Sequence, residues 1–458
     1  MFCLLALQVQ KTEYYNICNM PQLSIYTYIF QHADSFYIYN SEHGIIARIS
    51  ERLYSLLYNR DFTYIPPDFL KVLIDKGILI EPDKKYIYYD EMKMRFLSAS
   101  YDKEHMGLVI VPFSGCNFDC PYCFECKKHP KLISEKTENE LIDFVNAHSA
   151  RNIELTWYGG EPLVAFKNIK SIYYKIVNNT KVNIKRHELV TNGYLLNQEM
   201  MDFFHEAHLN EMQITLDGIE EHHNQTRYLK DTKQGTFHII VDNIRKAVEC
   251  LPDCNISIRV NVNKNNEKDF FEIYDKFSKE FKKKTIAIYP GFIREETPDR
   301  HSLCYNSIES RHIYSLYEKI KDLGGNVNFF PRKAHKGCMV NKLNSYIIGP
   351  EGEIYKCWND VSNPKRIVGY INKKEITNKP LLYRYMNETT PFSDSQCKDC
   401  LLFPVCSGGC AWYQYKNIFE EGKFDICSLY KDRSILERAL IKSLEKKEKP
   451  NILKRLYV

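Results

Sequence analysis

The sequence predicts an α/β protein built on an open, partial (β/α)6 barrel, with a small winged-helix-like module in front of it and a loop-rich, cysteine-ligated domain behind. Three observations lead there. Six short apolar strands alternate with helical segments from residue 107 onward. A compact mixture of strand and helix signals precedes them. Seven of the 16 cysteines crowd into the part beyond residue 326.

At 458 residues the chain exceeds one ordinary core, and it divides at 1–104, 105–325 and 326–440, with a basic tail at 441–458. Hydrophobic residues make up 44% and charged residues 26%, the values of a folded globular protein. The net charge of +5 is spread out apart from short runs such as Lys282, Lys283 and Lys284, which argues against a nucleic-acid partner. The opening residues 1–9 are apolar without a preceding basic region, and no apolar run approaches a membrane span, so no membrane partner and a cytoplasmic location are expected. In that reducing compartment 16 cysteines point to metal ligation rather than disulfides.

In the first part, residues 36–39 and 45–49 read as strands joined by the turn Asn40-Ser41-Glu42-His43-Gly44. Ser50 is placed to cap a helix carrying Leu53, Leu56 and Leu57. A second helix follows Pro66-Pro67, with Phe69, Leu70, Leu73 and Ile74 on one side and Gly77 as its stop. Residues 78–80 and 86–89 are expected to complete a small sheet.

Strands at 108–111, 153–157, 187–190, 212–216, 256–262 and 285–288 then alternate with helices such as 138–147, 199–207 and 237–248. In TIM-like barrels of this kind the chemistry gathers at the C-terminal ends of the strands. Directly after the first of these strands stand Cys116, Cys120 and Cys123, a C-x3-C-x2-C loop. Three thiolates ligate three irons of a four-iron cluster and leave the fourth open to a chelating small molecule. A structural zinc site closes with four ligands instead; Cys126 is the available fourth and reads as a spare thiol. Further on, Cys338, Gly352 and Cys357 fit C-x13-G-x4-C, and Cys397, Cys400, Cys406 and Cys410 fit C-x2-C-x5-C-x3-C, with Cys427 beyond. Such a segment, poor in periodic apolar residues, needs staples, for which iron-sulfur clusters and zinc compete.

On these residues the chain resembles the radical S-adenosylmethionine superfamily, through the cysteine loop with the aromatic Tyr122 before its third cysteine and through the strand-end segments Gly159-Gly160-Glu161-Pro162, Thr191-Asn192-Gly193 and Thr215-Leu216-Asp217-Gly218. The resemblance implies that the open iron chelates the amino and carboxylate groups of S-adenosylmethionine, and that an electron from the cluster yields a 5'-deoxyadenosyl radical which abstracts a substrate hydrogen. By position, Tyr122, the backbone of Gly159 and Gly160, Glu161, Thr191 and Thr215 would contact this cofactor, Glu161 receiving the methionyl ammonium. Arg227 or Arg259 would pair with its carboxylate, which a guanidinium fork suits. No further catalytic residue is implied.

The later cysteines resemble the SPASM extension of radical enzymes that modify peptides, and imply two auxiliary four-iron clusters. Cys397, Cys400, Cys406 and Cys427 would hold the second. Cys338, Cys357 and Cys410 would hold the first, with no evident fourth cysteine: either Cys304 reaches in, or an open iron remains for a substrate thiolate. The expected function is modification of a ribosomally synthesised precursor peptide by a thioether, another crosslink or an epimerised centre. The front module would recognise the peptide by strand addition, and a reductase or flavodoxin-type donor would supply electrons. An anaerobic sulfatase-maturing enzyme is the alternative; that family has an Asp directly after the cysteine matching Cys357, where this chain has Trp358, Asn359 and then Asp360. A cluster-bearing protein without turnover would have no need of the strand-end cofactor segments.

Overall fold

The computed structural model describes residues 20–123, 130–263, 265–281, 286–293, 310–335, 337–373 and 376–445. Residues 1–9, Cys126, Lys282, Lys283, Lys284, Thr285, Cys304 and the chain beyond 445, all used in the sequence reading, lie outside the described residues.

The first part runs β1 (Gln22–Leu23), β2 (Thr27–His32), β3 (Ser35–Asn40), β4 (Ile45–Ile49), α1 (Glu51–Asn59), α2 (Pro67–Asp75), β5 (Leu79–Ile80) and α3 (Ile87–Ser100). β2, β3 and β4 form an antiparallel meander, and β1 pairs with β5. The Ser50 side chain accepts from the Leu53 N–H and caps α1, as its sequence position predicts. Ile38, Ala47 and Ile49 on one sheet face pack against Leu53, Leu57 and Leu73 of the two helices. The expected strand at 86–89 is instead the first turn of α3. Good helix formers from Glu91 to Leu97 carry the helix on, and Tyr88 and Tyr89 are buried against Tyr26 and Phe403, so tertiary packing overrides the strand preference of the tyrosines.

The barrel follows as β6 (His105–Ile110), α4 (Glu135–Ala147), β7 (Asn152–Trp157), α5 (Phe166–Asn179), β8 (Asn183–Thr191), α6 (Gln198–Glu206), β9 (Glu211–Leu216), α7 (Glu220–Thr226), α8 (Phe237–Cys250), β10 (Asn255–Val262), α9 (Glu267–Glu280) and β11 (Ile286–Phe292). These six strands lie side by side in chain order and all pair in parallel. Alternate residues such as Leu108, Ile110, Leu155, Trp157, Ile214 and Ile258 are buried beneath the helices, leaving the other face of each strand to the barrel interior.

After α10 (Ser310–Asp322), β12 (Ser345–Ile348) adds to the free side of β6 in parallel. β13 (Glu353–Tyr355) and β14 (Gly369–Tyr370) follow antiparallel, making nine strands in one sheet. Gly352, the glycine of C-x13-G-x4-C, turns the β12–β13 hairpin at φ +84°, a conformation that favours glycine. α11 (Ala411–Phe419) and α12 (Arg433–Glu445) are the last two helices among the described residues. The expected start of a tail at 441 falls inside α12, where Ile441 and Leu444 still pack. The second face of the front meander, with Phe30, Tyr39 and Ile46, rests on Leu401, Leu402, Leu436 and Leu440. The first and last parts of the chain thus share a core.

Candidate active site and cluster sites

The cysteine loop leaves β6 at the C-terminal edge of the sheet. Cys116 Sγ accepts from the Phe118 N–H at 3.3 Å, and Asn192 Nδ2, at the end of β8, lies 3.9 Å away. Burial pushes the Cys116 thiol up, with Glu161, Cys120 and Cys123 adding to the shift, and pushes Cys120 up to about 12. The three sulfurs therefore stand close enough to act on one another's charge.

The two glycines after β7 admit this loop. A Cβ at Gly159, where φ is +140°, would lie 2.5 Å from the Phe113 carbonyl oxygen, and one at Gly160 would lie 2.1 Å from that of Gly115. The close backbone approach is that of the cysteine loop itself. Glu161 is wholly buried: Oε1 accepts from Leu163 N–H (3.0 Å) and Thr191 Oγ1 (2.7 Å), and Oε2 from Asn192 N–H (2.7 Å). Burial raises its pKa and these hydrogen bonds oppose the rise. Thr191 Oγ1 in turn accepts from the Gly193 N–H. The side chains of Glu161 and Thr191 thus join the ends of β7 and β8 beside the cysteine loop.

Tyr122 ties the loop to the far strands. Its hydroxyl donates to Asp217 Oδ1 at 2.9 Å and accepts from Arg227 Nη1 and Asn261 Nδ2, both at 3.1 Å. Asp217, wholly buried after β9, also accepts from Asn261 Nδ2 (3.1 Å) and Thr226 Oγ1 (2.7 Å). Burial works against the Arg227 charge, but Tyr122, Cys120 and Asp217 outweigh it and hold the guanidinium protonated. Thr215 and Arg259 are register partners on β9 and β10. Asp217 and Asn261 were not among the expected site residues. The signal for Asn261 was present: Ser257, Arg259 and Asn261 are polar at every second position of an otherwise Ile/Val strand.

Among the described residues, three buried donors at this edge have no partner: Asn117 Nδ2, Arg227 Nε and Arg259 Nε. Folded proteins rarely leave such groups unpaired. Beside three clustered thiols, they fit a cluster with a polar small-molecule ligand.

Among the described residues no three His, Cys, Asp or Glu side chains converge as a single metal ion requires. In the C-terminal part Cys397, Cys400, Cys406 and Cys427 instead line one cavity of about 120 Å³, with Phe403 and Lys431. Gly408 N–H donates to Cys406 Sγ at 3.4 Å, and Lys431 Nζ lies 3.3 Å from Cys427 Sγ. Burial lifts the Cys397 thiol to about 12. Cys357 is pushed well up by burial and by Asp360, with smaller contributions from Cys410 and Cys338. Asp360 points away into the protein, accepting from Tyr385 Oη at 2.5 Å and Trp412 Nε1 at 3.1 Å.

Residues 110–277 match the family model of the Radical SAM superfamily. A cysteine-type anaerobic sulfatase-maturating enzyme of Clostridium novyi is 26% identical over 370 residues, covering 74% of this chain and 96% of that protein. The radical SAM cyclopropyl synthase TigE of Paramaledivibacter caminithermalis is 23% identical over 467 residues, covering 88% of this chain and 93% of TigE. Among solved structures, native anSMEcpe with bound AdoMet matches with a TM-score of 0.57 at 18% identity, covering 74% of this chain and 98% of its own. Streptococcus suis SuiB bound to precursor peptide SuiA matches with a TM-score of 0.51 at 14% identity, covering 90% and 99%. At these identities the structural likeness is one of fold. The chain carries a radical S-adenosylmethionine domain, and it is a radical enzyme resembling the peptide maturases.

Proposed function

We propose that this enzyme modifies a ribosomally synthesised peptide by removing a side-chain or backbone hydrogen. The observation that carries the reading is coverage. TigE and SuiB each account for about nine-tenths of the chain, whereas the sulfatase-maturating relative leaves about a quarter of it unmatched.

Cys116, Cys120 and Cys123 would hold the four-iron cluster that binds S-adenosylmethionine, and the pair supplies a 5'-deoxyadenosyl radical for hydrogen abstraction. Arg227, buried beside the loop with an unpaired Nε, would take the methionyl carboxylate; Arg259 lies further along the sheet. The Tyr122–Asp217–Asn261 network would fix the loop over the strand ends. Cys397, Cys400, Cys406 and Cys427, around one cavity, would hold a second cluster, and Cys338, Cys357 and Cys410 a third. The front meander, whose two faces are already covered, would offer a sheet edge to the peptide.

Anaerobic reconstitution followed by reduction tests this directly. Formation of 5'-deoxyadenosine is expected, and its absence with fully loaded clusters overturns the enzyme reading. Co-expression with a short peptide encoded nearby, read by mass spectrometry, then defines the product: a loss of about two mass units marks an oxidative crosslink, and unchanged mass an epimerisation. The Clostridium novyi relative favours sulfatase maturation as the second reading. Conversion of a sulfatase-derived peptide to formylglycine would reverse the order.

A further inference from the structure

Tyr158 lies between the end of β7 and Gly159, and Trp358 directly follows Cys357. Their rings meet with centroids 4.5 Å apart at 60°. Trp358 Nε1 sits 2.8 Å from the Sδ of Met339, which directly follows Cys338. Three half-buried apolar side chains therefore join the strand end that clasps the radical-cluster loop to the segment bearing two cysteines of a different set. They stand on a fully buried base of Val109, Val111, Ile347 and Tyr355.

The charged neighbours are turned away from this patch. Lys356 is wholly buried, with Nζ donating to the Lys342 and Ser345 carbonyls. Asp360 is 1% exposed and engaged by Tyr385, Trp412 and Arg366. The strands at the far side of the sheet are different, with Gln213 paired to Tyr289 and an unpaired Arg259 Nε. The barrel interior is thus apolar on its β6–β12 side and polar on its β9–β11 side.

We propose that Trp358, Tyr158 and Met339 form the seat of the substrate residue under attack, and that this residue carries an aliphatic or aromatic side chain. The inference rests on the peptide-modifying reading above. An indole and a thioether reward apolar burial and offer no base, so a serine or cysteine requiring deprotonation gains nothing there.

The test uses the reconstituted holoenzyme with S-adenosylmethionine and reductant. It is offered N-acetylated, amidated Gly-X-Gly tripeptides in which X is perdeuterated Leu, Val, Phe, Ser, Cys or Asp. Deuterium in 5'-deoxyadenosine is expected from the three apolar residues at about tenfold or more above the others. Trp358→Ala should level that ratio, and Trp358→Phe should keep it, with iron content and circular dichroism unchanged in both. Equal or better transfer from Ser or Cys, a preference that survives Trp358→Ala, or 5'-deoxyadenosine free of deuterium with every peptide would each overturn the proposal. Absence of 5'-deoxyadenosine would be the separate failure of the radical reading. Equilibrium dialysis of radiolabelled N-acetyl-leucinamide against N-acetyl-aspartamide then still decides: a preference lost in Trp358→Ala supports the seat, and equal binding refutes it.

Discussion

Replacing Glu161 by Gln separates a strut from a ligand. The carboxylate is wholly buried and accepts three hydrogen bonds, from Leu163, Thr191 and Asn192. In the amide, Oε1 can still accept from Leu163 and Thr191, but an NH2 group faces the Asn192 N–H. One charge-assisted bond, worth about 1.5–3 kcal/mol, is lost and a buried N–H is stranded at about 1–3 kcal/mol. The amide is easier to bury than the carboxylate, which offsets part of this, so a net loss near 2 kcal/mol is expected. For a domain of about 200 residues that lowers the melting temperature by about 4–8 °C. Thermal unfolding followed by near-ultraviolet circular dichroism measures the stability, and equilibrium dialysis of S-adenosylmethionine measures binding. Unchanged melting combined with a binding loss of about tenfold or more would refute the strut and return Glu161 to the cofactor.

Substituting Cys116 by Ala should remove about four irons per chain and abolish 5'-deoxyadenosine, whereas Cys400→Ala should remove about four irons and leave S-adenosylmethionine binding intact. Iron assay and dialysis check both. His187, buried with Nε2 accepting from Trp157 Nε1 at 2.7 Å and Nδ1 donating to the Ala207 carbonyl, is pushed by burial down to about 4 from 6.5. The unfolded chain therefore binds the proton first as pH falls, so its stabilising contribution is complete above pH 6.5 and declines toward pH 4, by about 3 kcal/mol in all. Urea midpoints across that window should show the slope, and His187→Gln should flatten it. Leu436→Ala, at a fully buried position between the front meander and α12, should cost about 2–5 kcal/mol and open the 50–85 region to limited proteolysis.

The barrel was legible because its strands are short apolar runs and its helices amphipathic, so periodicity located all six strands. The cysteine sets were read from spacing alone, and of these Cys397, Cys400, Cys406 and Cys427 line one cavity. What escaped was fixed by distant partners. Residues 86–89 read as strand from their tyrosines, yet Phe392 and Phe403, more than 300 positions away, bury them as helix. The short-range reading of Gly159, Glu161 and Thr191 did not show that they also pack against the neighbouring strand and the cysteine loop, because those partners are distant in sequence. Asp217 looked like ordinary turn chemistry until Tyr122, Asn261 and Thr226 converged on it.

The seam between the front meander and the end of the chain has a consequence for biosynthesis. Tyr28 donates to Glu437, 409 residues away, Ser41 donates to the Leu401 carbonyl, and Tyr86 donates to Asp399 beside Cys400. The front module must wait until residues 401–440 have emerged before the second face of its meander finds cover. Meanwhile Phe30, Tyr39 and Ile46 stay open to water or to a chaperone. The proposed cluster in the cavity of Cys397, Cys400, Cys406 and Cys427 would be loaded in the same interval, which would make metal supply and closure of this seam one step.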